Sequence, residues 1–254
     1  MDNLFLGIDI GGSGIKGAVV DITTGELVQP RFRVATPKPG NPAAIAGAVK
    51  ELTEHFNWQG PVGCGFPGVV MHGKVLTAAN LDKSCAGVDF AKLFTQTTQC
   101  PTFLLNDADA AGIAEMNLGN GKNTAGVVVI VTVGTGIGTA LFTNGHLVPN
   151  TEFGHIILDN RKEGEKYAAD SVRQKQKLSW KDWGNRFNHY LNNLVSLFYP
   201  DLIIVGGGAS KEFRRYQETL TVKTKVIPAA LLNKAGIIGA AMYAAAETAP
   251  PVQK

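Results

Sequence analysis

Two glycine-rich strings in this 254-residue chain have the composition of a phosphate cradle. The first, Asp9-Ile10-Gly11-Gly12-Ser13-Gly14-Ile15-Lys16, sets three glycines around a serine, with an aspartate before them and a lysine after. Glycine lets backbone N–H groups approach phosphate oxygens without side-chain obstruction. Ser13 adds a hydroxyl donor, and Asp9 supplies a negative charge able to hold Mg2+ through water. The second string is Thr132-Val133-Gly134-Thr135-Gly136-Ile137-Gly138. Gly12, Gly14 and Gly17 also match the G-x-G-x-x-G dinucleotide fingerprint, which needs a helix after its glycines. Here residues 15–20 read as a strand and Thr23-Thr24-Gly25 as a turn, so a hairpin follows and the dinucleotide reading is rejected. The run at 119–124 (Gly-Asn-Gly-Lys-Asn-Thr) lacks the first glycine of a Walker A loop and reads as a surface loop.

These residues must be held by strand ends. Residues 4–10 form an apolar, β-branched run entering the first turn, and 15–20 and 26–35 continue as strands of a meander. Asn41 reads as an N-cap with Pro42 at the first helical position, opening a helix to about residue 56. Short strands are expected at 62–66 and 74–77, a helix at 89–97, a strand at 102–105 and an alanine-rich helix at 107–116. The most apolar strand, 127–133, runs into the second glycine turn, and another strand follows through 142. A long helix at 179–198 is ended by Tyr199-Pro200, a strand at 201–205 runs into Gly206-Gly207-Gly208, and a last helix covers about 237–247. Gly12 and Gly134 are 122 residues apart, close to half the chain, and both sit in a strand–turn–strand string. Two related halves give this pattern, as would two glycine hairpins that arose independently.

Composition narrows the class. Hydrophobic residues at 44% against 18% charged allow a real core and argue against disorder. A net charge of +3 is too mild to argue for nucleic acid but suits a small polyanion. Cys64, Cys85 and Cys100 are odd in number with no Cys-x-x-Cys, which argues against a disulfide scaffold and a zinc knuckle and fits a reducing compartment. The opening residues have no basic region ahead of an apolar stretch, and the longest apolar run, 125–131, is far short of the roughly 20 residues that span a bilayer. A cytoplasmic protein with neither a nucleic-acid nor a membrane partner is expected.

Together the two turns resemble the paired phosphate turns of the sugar kinase, heat-shock protein and actin superfamily. The resemblance implies an α/β chain with an actin-like (ribonuclease H-like) two-domain ATPase/sugar kinase fold and a central interdomain cleft. The implied domains are a small one at 1–107, completed by a returning C-terminal helix at 237–254, and a large one at 108–236. Glu152-Phe153-Gly154-His155-Ile156 resembles the E-x-G-H stretch of the ROK family of sugar kinases and repressors. In that family the glutamate and histidine bind sugar hydroxyls, a role suited to a carboxylate that accepts and an imidazole that donates or accepts. Asn106-Asp107 resembles the family's catalytic pair, implying that Asp107 takes the proton of a 6-hydroxyl; without that context it is a helix N-cap. Asn80 resembles a further sugar-contacting asparagine, with a turn residue as the alternative. Most members carry a cysteine-rich zinc segment after the histidine, ending in a sugar-contacting glutamate. Residues 158–165 contain no cysteine, so no structural zinc is expected, and Glu165 takes the glutamate's place with Glu163 in competition.

The zinc-free, polyphosphate glucokinase branch of the ROK family is the part of it this chain resembles. Shared strings run over Asp9 to Lys16, Thr36-Pro37-Lys38-Pro39, Thr132 to Ala140 and Asn150 to His155, with a tryptophan pair like Trp180 and Trp183. The implied reaction moves a phosphoryl group from inorganic polyphosphate to the 6-hydroxyl of glucose with Mg2+, in a homodimer. The alternatives are an ATP-dependent ROK hexokinase acting on glucose or mannose, and a sugar-binding regulator that does not phosphorylate. The regulator needs a helix-turn-helix ahead of the first strand, which already begins at residue 4. Gly206-Gly207-Gly208 lies where the superfamily's adenosine docks, so ATP stays open as a donor. Lys16, Arg31, Arg33 and Lys38 are candidate cations for a polyanion, whereas the denser basic run at 161–177 alternates with acids and reads as a solvated helix.

Overall fold

The computed structural model describes residues 3–78 and 81–249. In chain order its strands and helices are β1 (Leu4–Ile10), β2 (Ile15–Asp21), β3 (Glu26–Leu27), β4 (Phe32–Val34), α1 (Pro42–His55), β5 (Val62–Phe66), β6 (Val70–Met71), β7 (Lys74–Val75), α2 (Phe90–Thr98), β8 (Thr102–Asn106) and α3 (Asp107–Leu118). They continue as β9 (Val127–Val133), β10 (Ile137–Thr143), β11 (His146–Val148), α4 (Gly164–Ala168), α5 (Asp170–Lys175), α6 (Trp180–Phe198), β12 (Leu202–Gly207), β13 (Lys225–Pro228) and α7 (Ala235–Thr248). The chain divides into two compact units, Met1–Ala114 with Lys234–Lys254, and Glu115–Asn233.

In the first unit the sheet order is β3-β2-β1-β5-β8, with β4 also on β2. β1 runs antiparallel to β2 and parallel to β5, and β5 is parallel to β8. The strand expected at 26–35 is broken: β3 and β4 both pair with β2, separated by a stretch containing Pro30. Proline has no N–H to give a ladder and fixes φ, so the strand leaves the sheet and re-enters it. On one face α1 places Ile45, Val49 and Leu52 among Leu6, Ile8 and Val19. Its start is fixed as the sequence predicts, with the Asn41 side chain accepting from Ala44 N at 2.9 Å.

The other face carries α7. A Cβ at Gly7 would overlap the Ile237 carbonyl, and one at Gly63 would overlap the Ala240 carbonyl. Glycine on two adjacent strands thus lets an alanine-rich helix lie backbone against backbone. The C-terminal helix returns to the first sheet for this reason: Ile237, Ile238, Ala240, Ala241 and Ala244 are all fully buried.

The second unit repeats the strand plan. Its order is β11-β10-β9-β12-β13, with β9 antiparallel to β10 and parallel to β12. β2-β1-β5 and β10-β9-β12 therefore share one topology, each with a glycine turn joining the antiparallel pair. The amphipathic α6 presents Trp183, Phe187, Tyr190 and Leu194 to Val129, Val131, Ile203 and Val205. The basic run at 161–177 forms two short helices, α4 and α5, where the sequence suggested one solvated helix; Ala168 at the end of α4 and Ala169 after it are buried. No described helix is long and apolar enough to cross a membrane.

Gly63→Val forces a branched side chain into the Ala240 carbonyl and is expected to destabilise the fold by about 3 kcal/mol. The readout is a lower urea midpoint at unchanged slope; an unchanged midpoint would mean that α7 does not rest on β5 this closely.

Candidate active site

The chemistry-bearing residues of the first unit gather at the carboxyl ends of its parallel strands. Asp9 lies opposite Gly65 on β5, which lies opposite Leu105 on β8, so Asp9 and the Asn106-Asp107 pair sit at neighbouring strand ends. The first glycine turn closes with Gly11 N donating to Gly14 O at 3.2 Å. Two further carbonyls are held from outside: Thr36 Oγ1 donates to Gly11 O at 2.5 Å, and an Arg33 Nη donates to Ser13 O at 2.5 Å. Gly12 and Ser13 are exposed, and their N–H groups have no backbone partner among the described residues. That is the arrangement expected of an anion cradle.

Asp9 and Lys16 are cross-strand neighbours with Nζ and Oδ2 3.7 Å apart, both largely shielded from solvent. Burial pushes the Asp9 carboxyl above the usual carboxylate range, with Lys16 and then Arg31 pulling it back. Gly236, in the first turn of α7, lies against the same carboxylate.

Asn106 behaves as the N-cap its position suggests. Its Oδ1 accepts from Ala108 N at 2.8 Å and Asp109 N at 3.1 Å, while Nδ2 donates to Gly68 O at 3.1 Å. Asp107 is half-buried at the first position of α3, fixed by that cap. Asn80, the other candidate here, lies outside the described residues.

In the second unit the turn after β9 is built on the same plan. Gly134 N donates to Gly136 O at 3.0 Å. Ser171, at the start of α5, donates its N–H to Gly134 O at 3.1 Å and its hydroxyl to Thr135 O at 2.6 Å. Thr132 and Gly138 are paired across β9 and β10 beside the turn. Glu165 Oε2 accepts from Ile137 N at 3.3 Å, in space that a Cβ on Gly136 would need.

The Glu152–His155 stretch is stitched to β10. Thr139 Oγ1 donates to Thr151 O at 2.7 Å, Thr151 Oγ1 donates to Thr139 O at 3.0 Å, and Phe153 N donates to Thr139 Oγ1 at 3.1 Å. Residue 154 is glycine because a Cβ there would run into the Ile137 carbonyl. The imidazole of His155 then stands among three carboxylates. Nδ1 is 2.5 Å from Glu163 Oε1 and 3.9 Å from Glu165 Oε1, and Nε2 is 3.7 Å from Glu152 Oε2. The hydrogen bond to Glu163 raises the His155 pKa above its ordinary value. Glu163 is held below its own range, first by Lys166 and then by His155. Burial raises Glu152, and Glu165 adds to the rise while His155 opposes it.

The two competing glutamates are thus separated by their surroundings. Glu163 has both oxygens engaged, one by His155 and one by Lys166. Glu165 bridges the glycine turn and the histidine. His155, Glu163 and Glu165 also bring one ligand atom each within 4.8 Å of one another, but Lys166 already supplies a cation to Glu163. Sequence reasoning met Thr36 and Thr139 only inside longer shared strings and did not single out Ser171; the three hydroxyls fix these segments. Their partners are backbone atoms distant in sequence, so no local pattern announces them.

Residues 5–172 match the model of the ROK family. Over 247 residues the chain is 47% identical to a polyphosphate glucokinase of Mycobacterium tuberculosis, covering 95% of this chain and 91% of that protein. Among solved structures, an inorganic polyphosphate/ATP-glucomannokinase from Arthrobacter sp. strain KM superposes with a TM-score of 0.91 at 42% identity, covering 96% of this chain and 99% of that one. A ROK family glucokinase from Streptomyces griseus, crystallised with glucose and AMPPNP, gives 0.79 at 26% identity, covering 94% of this chain and 98% of that one. The architecture is the actin-like α/β fold of these sugar kinases. With its glycine turns, its E-x-G-H stretch and two thirds of its length matching, the chain belongs to the ROK family.

Proposed function

We propose that this chain is a glucokinase that transfers the terminal phosphoryl group of inorganic polyphosphate to the 6-hydroxyl of glucose, with Mg2+. The observation that carries the reading is the 47% identity, over 95% of the chain, to a protein named polyphosphate glucokinase. The geometry supports it by offering the groups such a transfer needs.

Phosphoryl transfer depends chiefly on alignment and charge stabilisation. Asp107 accepts the proton of the attacking hydroxyl, and Asn106 positions it by capping α3. Glu152 and Glu165 accept hydrogen bonds from sugar hydroxyls. His155 offers Nε2 to a further hydroxyl while Nδ1 stays anchored on Glu163. Asn80 is assigned a supporting sugar contact. The N–H groups of the first turn, the Ser13 hydroxyl and Lys16 receive donor phosphate oxygens, as do the N–H groups of the turn formed by Gly134, Thr135 and Gly136, with Thr132 and Gly138 flanking it.

Asp9 suits Mg2+. Its carboxylate is desolvated, so added positive charge is favourable there, and Mg2+ ordinarily takes one or two carboxylates with water and phosphate oxygens completing its shell. When bound, the ion would neutralise charge on the donor phosphates. ATP as a second donor is supported by the likeness to an inorganic polyphosphate/ATP-glucomannokinase at 42% identity, and Gly206-Gly207-Gly208 at the end of β12 leaves it open. A homodimer in the cytoplasm completes the reading.

Purified protein given glucose and polyphosphate as sole donor should form glucose 6-phosphate, and no product would end the proposal. Asp107→Asn should lose about 1,000-fold in kcat while still binding glucose; near-normal turnover would remove Asp107 as the base. The His155–Glu163 pair sets a pH dependence. A histidine raised in the folded state is stabilising in full below its unfolded value of about 6.5, and that stability fades as pH rises through the folded value. Glu163→Gln should bring the His155 titration, followed by imidazole NMR, down toward that ordinary value, and the inflection in glucose KM against pH should move down with it. An unmoved inflection would detach His155 from sugar binding.

A further inference from the structure

The break at Pro30 has a consequence for charge. When the chain re-enters the sheet as β4, its register puts Arg33 opposite Lys16 on β2, and Lys16 is opposite Asp9 on β1. Residues directly opposite in a sheet share a face, so Asp9, Lys16 and Arg33 form one row across three strands. The row ends beside the first glycine turn.

Arg33 is not a loose surface side chain. Its guanidinium fills the space where a Cβ on Gly14 would lie, and one Nη is bonded to Ser13 O at 2.5 Å. A guanidinium carries five N–H donors, so the remaining donors are held at a fixed place on the turn. The residue stays exposed, as does Arg31 two positions earlier, whose charge reaches the Asp9 carboxyl. Neither arginine forms a salt bridge among the described residues, whereas Lys16 is paired with Asp9. With that pair balanced, two arginine charges are left uncompensated next to the cradle. A planar guanidinium binds phosphate through two parallel hydrogen bonds, which a point charge does not.

We propose that Arg33, backed by Arg31, is a subsite for the phosphate groups of a polymeric donor that lie beyond the one being transferred, and so favours long polyanions over short ones. The inference rests on the function proposed above. It also accounts for glycine at position 14, where any side chain would displace the guanidinium.

The test uses the full chain and its Arg33→Ala, Arg33→Lys and Arg31→Ala variants, with long-chain polyphosphate, tripolyphosphate and glucose each varied in turn. Arg33→Ala should raise KM for long-chain polyphosphate about tenfold, the size of one charge-assisted contact. KM for tripolyphosphate and for glucose should move much less, and the dependence of long-chain KM on salt should flatten. Arg33→Lys should recover only part of the loss, and Arg31→Ala, which does not touch the turn, should show a smaller rise of the same kind. An active wild type whose long-chain KM is unchanged in Arg33→Ala overturns the subsite and leaves the function standing. Equal loss with long and short donors, together with a fall in kcat, also overturns it, since the arginine would then serve only to hold the turn. A wild type that makes no glucose 6-phosphate from polyphosphate removes the function, and the subsite with it.

Discussion

Both glycine turns depend on having their carbonyl oxygens bound. In the first, Gly11 O, Ser13 O and Gly14 O are taken by Thr36, Arg33 and the Gly11 N–H; in the second, Gly134 O, Thr135 O and Gly136 O are taken by Ser171 twice and by the Gly134 N–H. A carbonyl oxygen repels an anion, so binding these oxygens within the protein leaves the turns with the donor character of an anion cradle. The donors of this grip come from distant segments: β4 and the stretch after it for one turn, and the start of α5 for the other. Segments far from the glycine turns in sequence thereby help to hold them.

The cluster around His155 follows similar logic with charge. The imidazole of His155 is oriented by the nearest of three carboxylates, Glu163, whose other oxygen meets Lys166. Gly154 and Thr139 fix where the cluster stands, the first by admitting the Ile137 carbonyl and the second by stitching residues 151 and 153 to β10.

The repeated strand plan explains why one chain can present two such turns. A parallel pair with an antiparallel hairpin on its edge puts a turn at the carboxyl end of the first strand, where open α/β sheets bind ligands. The halves differ in what covers them. The first accepts the small residues of α7 against Gly7 and Gly63, and the second is packed by the large aromatics of α6.

Most local elements and the residue types of the candidate site were legible in the chain alone. Asn41-Pro42 announces a helix start because capping is a short-range interaction, and the structure places the cap there; the helices expected from 89 and 179 begin there as well, with Asp89 and Ser179 found as their caps. The glycine strings and the Glu152–His155 stretch were readable because each is contiguous. Only the tertiary structure decided the rest. Pro30 splits the third strand and so sets Arg33 against Lys16; a register is a pairing between segments, and composition does not encode it. Likewise Glu163 and Glu165 are two residues apart and chemically identical. Which one holds the imidazole and which meets the glycine turn follows from the packing of α4 against Gly154 and Tyr190. Types and spacings are local properties of a chain, while the partner of a carbonyl or a carboxylate is fixed only when distant backbone is brought beside it.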